Sequence, residues 1–109
     1  MDFKVLAVGD VVGNPGMDRI CRCLRKLKMQ TGADFVIVNG ENAAVVGMMP
    51  QQAEEILDAG ADVITLGNHT FGKRELVDYM EDNTRILRPA NYAPQAPGRG
   101  WGIYDSKAG

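Results

Sequence analysis

Asp10, Glu41, Asn42, Asn68 and His69 are the residues of this chain whose types and placement suit chemistry. Each follows closely on a glycine that ends an apolar run, in Gly9-Asp10, Gly40-Glu41-Asn42 and Gly67-Asn68-His69. Glycine lets the backbone turn sharply at such points and leaves room for a charged ligand beside the main chain. Two carboxylates brought together without a basic partner repel, and one must take up a proton unless a cation intervenes. The oxygen-rich set of Asp10, Glu41, Asn42 and Asn68 suits Mn²⁺, Mg²⁺ or Fe²⁺ better than a thiolate-preferring ion. Glu41 can bridge two such ions, an arrangement used for in-line displacement at phosphorus. His69, the only histidine in the chain, adjoins Asn68 and can serve as general acid to a leaving oxygen.

Every one of these fragments also has an ordinary reading. Gly-Asp after a strand and Asn39-Gly40 are common turn pairs, and an Asn-His pair in a loop is often only solvated. The chemical reading rests on three loops offering ligand-type residues together. That requires elements which bring the loops to one edge.

The run Lys4-Val5-Leu6-Ala7-Val8 is short and glycine-bounded, which predicts a buried strand. Pro15 is placed to open a helix, on which Met17, Ile20, Cys21, Leu24 and Leu27 recur at spacings of three and four. Thr31-Gly32 ends it. Cys21 is expected on the apolar side as buried filler, and it diverges from Cys23, so the two do not bridge. Residues 35–38 form the next strand, and Pro50 opens a helix carrying Ala53, Ile56 and Leu57 that ends near Gly60. Met48-Met49 reads as core filler or a hydrophobic staple. A third strand covers residues 63–66, followed by a helix with Leu76, Val77 and Met80 that stops at Glu81-Asp82-Asn83. Ile86-Leu87 is a very short fourth strand, residues 90–100 read as irregular loop, and Trp101-Gly102-Ile103-Tyr104 resumes a strand.

Strand–helix alternation at this spacing predicts an α/β fold, with a mainly parallel sheet built from right-handed βαβ units. The carboxyl ends of parallel strands line one edge, where ligands bind. Asp10, Glu41, Asn42, Asn68 and His69 all fall there.

Length and composition bound the alternatives. The chain has 109 residues, enough for one small domain, and 45% of them are hydrophobic. A net charge of −2 argues against a duplex nucleic-acid partner, which calls for a basic stripe. The Arg and Lys residues between positions 19 and 28 read as the solvated face of the first helix. No apolar stretch is long enough for a membrane span, so a cytoplasmic setting without a membrane partner is expected. The spacing Gly9-x3-Gly13-x2-Gly16 does not match the dinucleotide fingerprint. A strand at 101–104 with no partner to follow suggests residues 1–109 are one incomplete domain, the front part of something larger.

The motifs taken together carry a resemblance. Gly9-Asp10-Val11-Val12-Gly13, Asn39-Gly40-Glu41-Asn42-Ala43-Ala44, Gly67-Asn68-His69-Thr70 and Arg88-Pro89-Ala90-Asn91 occur in this order over essentially the whole chain. The combination resembles the YmdB-like branch of the calcineurin-type metallophosphoesterases. The resemblance implies a two-sheet α/β sandwich with a dinuclear site of Fe, Mn or Mg ions. It implies hydrolysis of small phosphodiesters such as 2′,3′- or 3′,5′-cyclic nucleotides. Carried over by position, Asp10 would ligate one ion, Glu41 would bridge or share both, and Asn68 would ligate the second. Asn42 would support the site and the bound phosphate, and His69 would protonate the leaving oxygen. The wider superfamily usually has a histidine two residues after its first aspartate; here that position is Val12, as the YmdB-like branch implies. The family completes its metal shell with histidines from its C-terminal half, and none follows His69 here. The 109 residues alone are therefore expected to be inactive or nearly so.

Two other readings compete. One is a non-catalytic, truncated α/β module that self-associates or binds a partner through its open sheet edge, as a homo-oligomer would. The other is a nucleotide-binding module using the Gly9–Gly16 loop as an anion cradle. The sequence leaves the role of Asn91 open between a loop-capping amide and a neighbour of the site.

Overall fold

In the computed structural model, which describes residues 2–106, four parallel strands lie in the order β1-β2-β3-β4 with a helix in each crossover. The elements are β1 (Val5–Val8), α1 (Gly13–Thr31), β2 (Phe35–Asn39), α2 (Pro50–Asp58), β3 (Val63–Thr65), α3 (Glu75–Asp82) and β4 (Ile86–Leu87). Each strand pairs in parallel with the next, through Leu6↔Val36, Val38↔Ile64 and Ile64↔Ile86. Right-handed crossovers that always advance the same way place every helix on one face of the sheet. The strands show it by alternation. Val36, Val38, Ile64 and Ile86 are fully buried beneath the helices, while Val5 and Ala7 on the other face are exposed.

The core follows from that sidedness. Met17, Ile20 and Leu24 of α1, Ala53 and Ile56 of α2, and Leu76 and Met80 of α3 meet the inward strand residues in one cluster. Burying a side chain of this size contributes about 1.5–3 kcal/mol, so the cluster sets the positions of the strand ends. Met48 is fully buried there, as the filler reading expects.

Several expectations are corrected. Helix α1 begins at Gly13 rather than Pro15, because the Gly13 N–H is held by Asn42 O at 3.1 Å and Gly16 N–H by Val12 O at 3.2 Å. Cys21 is exposed, not buried filler: the inward stripe of α1 is narrow, and Leu27 also lies outside it. The strand expected at Trp101-Gly102-Ile103-Tyr104 is absent. Arg99 makes one isolated bridge to Leu87, and the chain beyond it forms no ladder among the described residues. Gly100 and Gly102 interrupt the run, and Tyr104 anchors it instead, with its hydroxyl on Thr84 O and its ring 6.0 Å from that of Phe35. The partner-binding reading therefore loses one of its motives, an unpaired strand at 101–104. The helix ends agree with expectation, with Gly32 capping α1 in the left-handed conformation at φ 70° and Asn83 capping α3.

Candidate active site

The first three strands deliver their carboxyl ends to one edge, where the loops after them interlock. Val11 N–H bonds Asn39 O at 3.1 Å, fixing the first loop to the end of β2. Gln52, in the first turn of α2, accepts from Met49 N–H at 2.9 Å and donates to Ala43 O at 2.9 Å. This ties the loop after β2 to the helix it enters. The loops after β2 and β3 meet at glycines. A side chain on Gly47 would stand 2.9 Å from Lys73 N, so only glycine permits the approach, and its φ of +85° also favours it.

Within this frame four of the expected residues are joined. Asn42 Nδ2 donates to Asp10 Oδ1 at 2.8 Å, across 32 positions of sequence. That leaves Asn42 Oδ1 facing His69 Nδ1 at 2.5 Å. An amide oxygen only accepts, so with this amide orientation Nδ1 carries the proton of the neutral ring and Nε2 is left unprotonated. The His69 backbone N–H donates to Glu41 Oε2 at 3.1 Å, and Asn39 Nδ2 lies 3.4 Å from Glu41 Oε1. The His69 ring stands 3.9 Å from the same Glu41 oxygen as its backbone N–H meets. Asp10 itself adopts φ 45°, a conformation uncommon for a non-glycine residue, which turns its carboxylate toward Asn42.

Asn68 is not drawn into this network. It is exposed, and among the described residues it makes no hydrogen bond. Asn91 is likewise exposed and unbonded among them, so it is not a loop cap. The residue beside it, Tyr92, is one that sequence reasoning missed. Its hydroxyl donates to Gly67 O at 3.0 Å, and its ring lies 5.9 Å from that of Phe71. Thr70, buried and also missed, bonds Gly67 O through both its backbone N–H and its hydroxyl. A conspicuous tyrosine after Arg88-Pro89 is the only signal for the first, and the second is marked only by its place at the end of Gly67-Asn68-His69-Thr70. The Gly9–Gly16 loop spends its Val11 and Gly13 N–H groups on Asn39 and Asn42, which leaves it a poor anion cradle.

The donor set fits a hard divalent cation. Asp10 and Glu41 supply carboxylate oxygens on adjoining loops, and neither is paired with Lys or Arg among the described residues. The same residues contain no closed group of three His, Cys, Asp or Glu side chains able to hold a metal ion. A shell built on Asp10 and Glu41 would therefore need ligands beyond these two carboxylates. Among the described residues, no helix is long and apolar enough to cross a membrane.

A parallel sheet whose strand ends bear Asp, Glu-Asn and Asn-His defines a class, and comparison with known proteins identifies it. The chain belongs to the YmdB-like protein family, whose model matches residues 6–109. It is 42% identical over 99 residues to a 2′,3′-cyclic-nucleotide 2′-phosphodiesterase of Bacillus subtilis (strain 168), covering 90% of this chain and 38% of that protein. The structure superposes with a TM-score of 0.81 on a phosphatase of Mycoplasma pneumoniae, at 34% identity, covering 94% of this chain and 38% of the other. A crystal structure of a protein from Thermus thermophilus gives the same TM-score of 0.81 at 33% identity, covering 93% and 40%. The chain spans about two fifths of the length of the relatives it matches.

Proposed function

We propose that this chain supplies one side of the active site of a metal-dependent phosphodiesterase acting on small phosphodiesters such as 2′,3′- or 3′,5′-cyclic nucleotides. The observation that carries the reading is the linked run Asp10–Asn42–His69, with Glu41 bonded to the His69 backbone, assembled from three separate strand-end loops. Turn chemistry alone gives no reason for such side chains to converge.

In this reading Asp10, Glu41 and Asn68 would hold a pair of divalent ions, with Glu41 shared by both. Fe, Mn or Mg ions suit these oxygens. Bound there, the ions supply Lewis-acid stabilisation of the charge that builds on the phosphoryl oxygens. The chain's own residues do the rest. Asn42 holds Nδ1–H of His69, so that in the imidazolium form Nε2–H is the group that gives its proton to the leaving oxygen and returns the ring to its neutral Nδ1–H form. The Glu41–His69 backbone bond holds the loop after β3 at a fixed distance from the carboxylate.

The test is Mn²⁺-dependent hydrolysis of bis-p-nitrophenyl phosphate and 2′,3′-cyclic AMP by this chain and by a version extended through the downstream reading frame. The extended protein should be active and the chain alone nearly inert. Asp10→Asn and Glu41→Gln should abolish the activity, whereas an extended protein inert with every divalent ion would overturn the reading.

A further inference from the structure

The loop after β3 carries Asn68 and His69, and its internal bonds are short in range. Thr70 N–H meets Gly67 O at 3.0 Å and Gly72 N–H meets His69 O at 2.9 Å, so two successive turns make up residues 67–72. Such turns shape a loop without fixing where it stands against its neighbours. From the β2 side, Glu41 fixes it by accepting the His69 N–H at 3.1 Å. From the β4 side the tie is Tyr92.

Tyr92 holds the loop on both sides of the Asn68-His69 pair. Its hydroxyl donates at 3.0 Å to the carbonyl of Gly67, the residue before the pair, across 25 positions of sequence. Its ring lies 5.9 Å from that of Phe71, just beyond the pair. The tyrosine is itself anchored by its N–H on Pro89 O at 3.2 Å, in a turn that follows β4. A peptide unit is planar, so pinning the Gly67 carbonyl sets the plane that leads into Asn68. Gly67 is also the residue on which Glu41 is seated, since a Cβ there would stand 2.6 Å from Glu41 Cδ. A half-buried phenol needs some acceptor in any fold. Here, however, Gly67 O already accepts from the Thr70 N–H and hydroxyl, so the phenol is not required to satisfy it. What Tyr92 adds is location.

We propose that Tyr92 is a positioning residue for the site, a clamp from the β4 side that opposes Glu41 and holds Asn68 and His69 where the network with Asn42 forms. The inference rests on the phosphodiesterase reading for what Asn68 and His69 do, and not for whether the clamp holds them.

Tyr92→Phe removes the hydroxyl and keeps the ring. In the 109-residue chain this variant should speed amide hydrogen exchange at His69 and Thr70 by about fivefold, the scale of one hydrogen bond. Ile64 N–H, bonded to Arg85 O at 2.8 Å within the sheet, is the reference and should exchange as before. In the protein extended through the downstream reading frame, Tyr92→Phe should lower kcat for bis-p-nitrophenyl phosphate by about fivefold and leave KM within about twofold, because alignment of the proton donor counts in the transition state. Tyr92→Leu loses the ring contact as well and should fall further in both measurements. Equal acceleration at Ile64 and in the loop would make Tyr92 a general support of the fold and overturn the proposal. Unchanged exchange at His69 and Thr70, or an unchanged kcat, would overturn it too. An extended wild-type protein without activity would sink the phosphodiesterase reading instead, and the exchange comparison would still decide the clamp.

Discussion

The Glu41 carboxylate fills the space that a side chain on Gly67 would need, since a Cβ there would stand 2.6 Å from Glu41 Cδ. The bridging candidate of one loop is thus seated on bare backbone of the next, and that close approach sets where its oxygens can point. Gly67→Ala should cost the fold little, because the atoms in its way are the end of the flexible Glu41 side chain, which can move aside. It should displace Glu41 and weaken Mn²⁺ binding. Thermal melts with calorimetric metal titration check both, and a variant that binds metal normally would show that Glu41 is not a ligand.

His69 offers a clean spectroscopic test because no other histidine overlaps its signals. Neutral His69 should be found as the Nδ1–H tautomer, held by Asn42 Oδ1. In Asn42→Leu the ring should shift toward the Nε2–H form that free imidazole prefers. Nitrogen-15 ring spectra in the neutral range distinguish the two, and a wild-type chain already in the Nε2–H form would refute the Asp10–Asn42–His69 arrangement.

The one-sided core predicts an asymmetry between two residues of similar chemistry. Ile64→Ala, on the helix-covered face of the sheet, should cost about 2–5 kcal/mol. Val5→Ala, on the exposed face, should change stability by less than about 0.5 kcal/mol. Denaturant unfolding of both variants measures the contrast.

Burial raises the Tyr104 hydroxyl above its ordinary value of 10.0, with Arg99 and Arg85 opposing the shift. The folded chain then keeps this proton after the unfolded chain has lost it. Its contribution to stability is complete below pH 10 and falls as pH rises beyond that value through the folded titration. A titration of phenolate absorbance should show late components from Tyr104 and from Tyr79, whose hydroxyl burial also raises. Tyr104→Phe should remove one of them and lessen the alkaline loss of stability.

Strands, helix order and the parallel sheet were legible in the sequence because apolar runs and glycine stops are local signals. The failures arose where the deciding contact is distant. Cys21 falls at a helical spacing that suits burial, but it is exposed, and what α2 offers it is the Glu55 carboxylate, 3.9 Å from the thiol, rather than an apolar side chain. Trp101-Gly102-Ile103-Tyr104 has strand composition, yet Thr84 and Phe35 hold Tyr104 in another path. Site residues could be named from their types, but the Asn42 link between Asp10 and His69 spans separate loops and no spacing rule reveals it.

Because the sheet order repeats the chain order, each strand needs only its immediate predecessor as a template. A nascent chain leaving the ribosome can add units one at a time, with no strand waiting for a distant mate. Contact order is kept low for a parallel sheet, and the apolar surface of each emerging helix is covered soon after it is made.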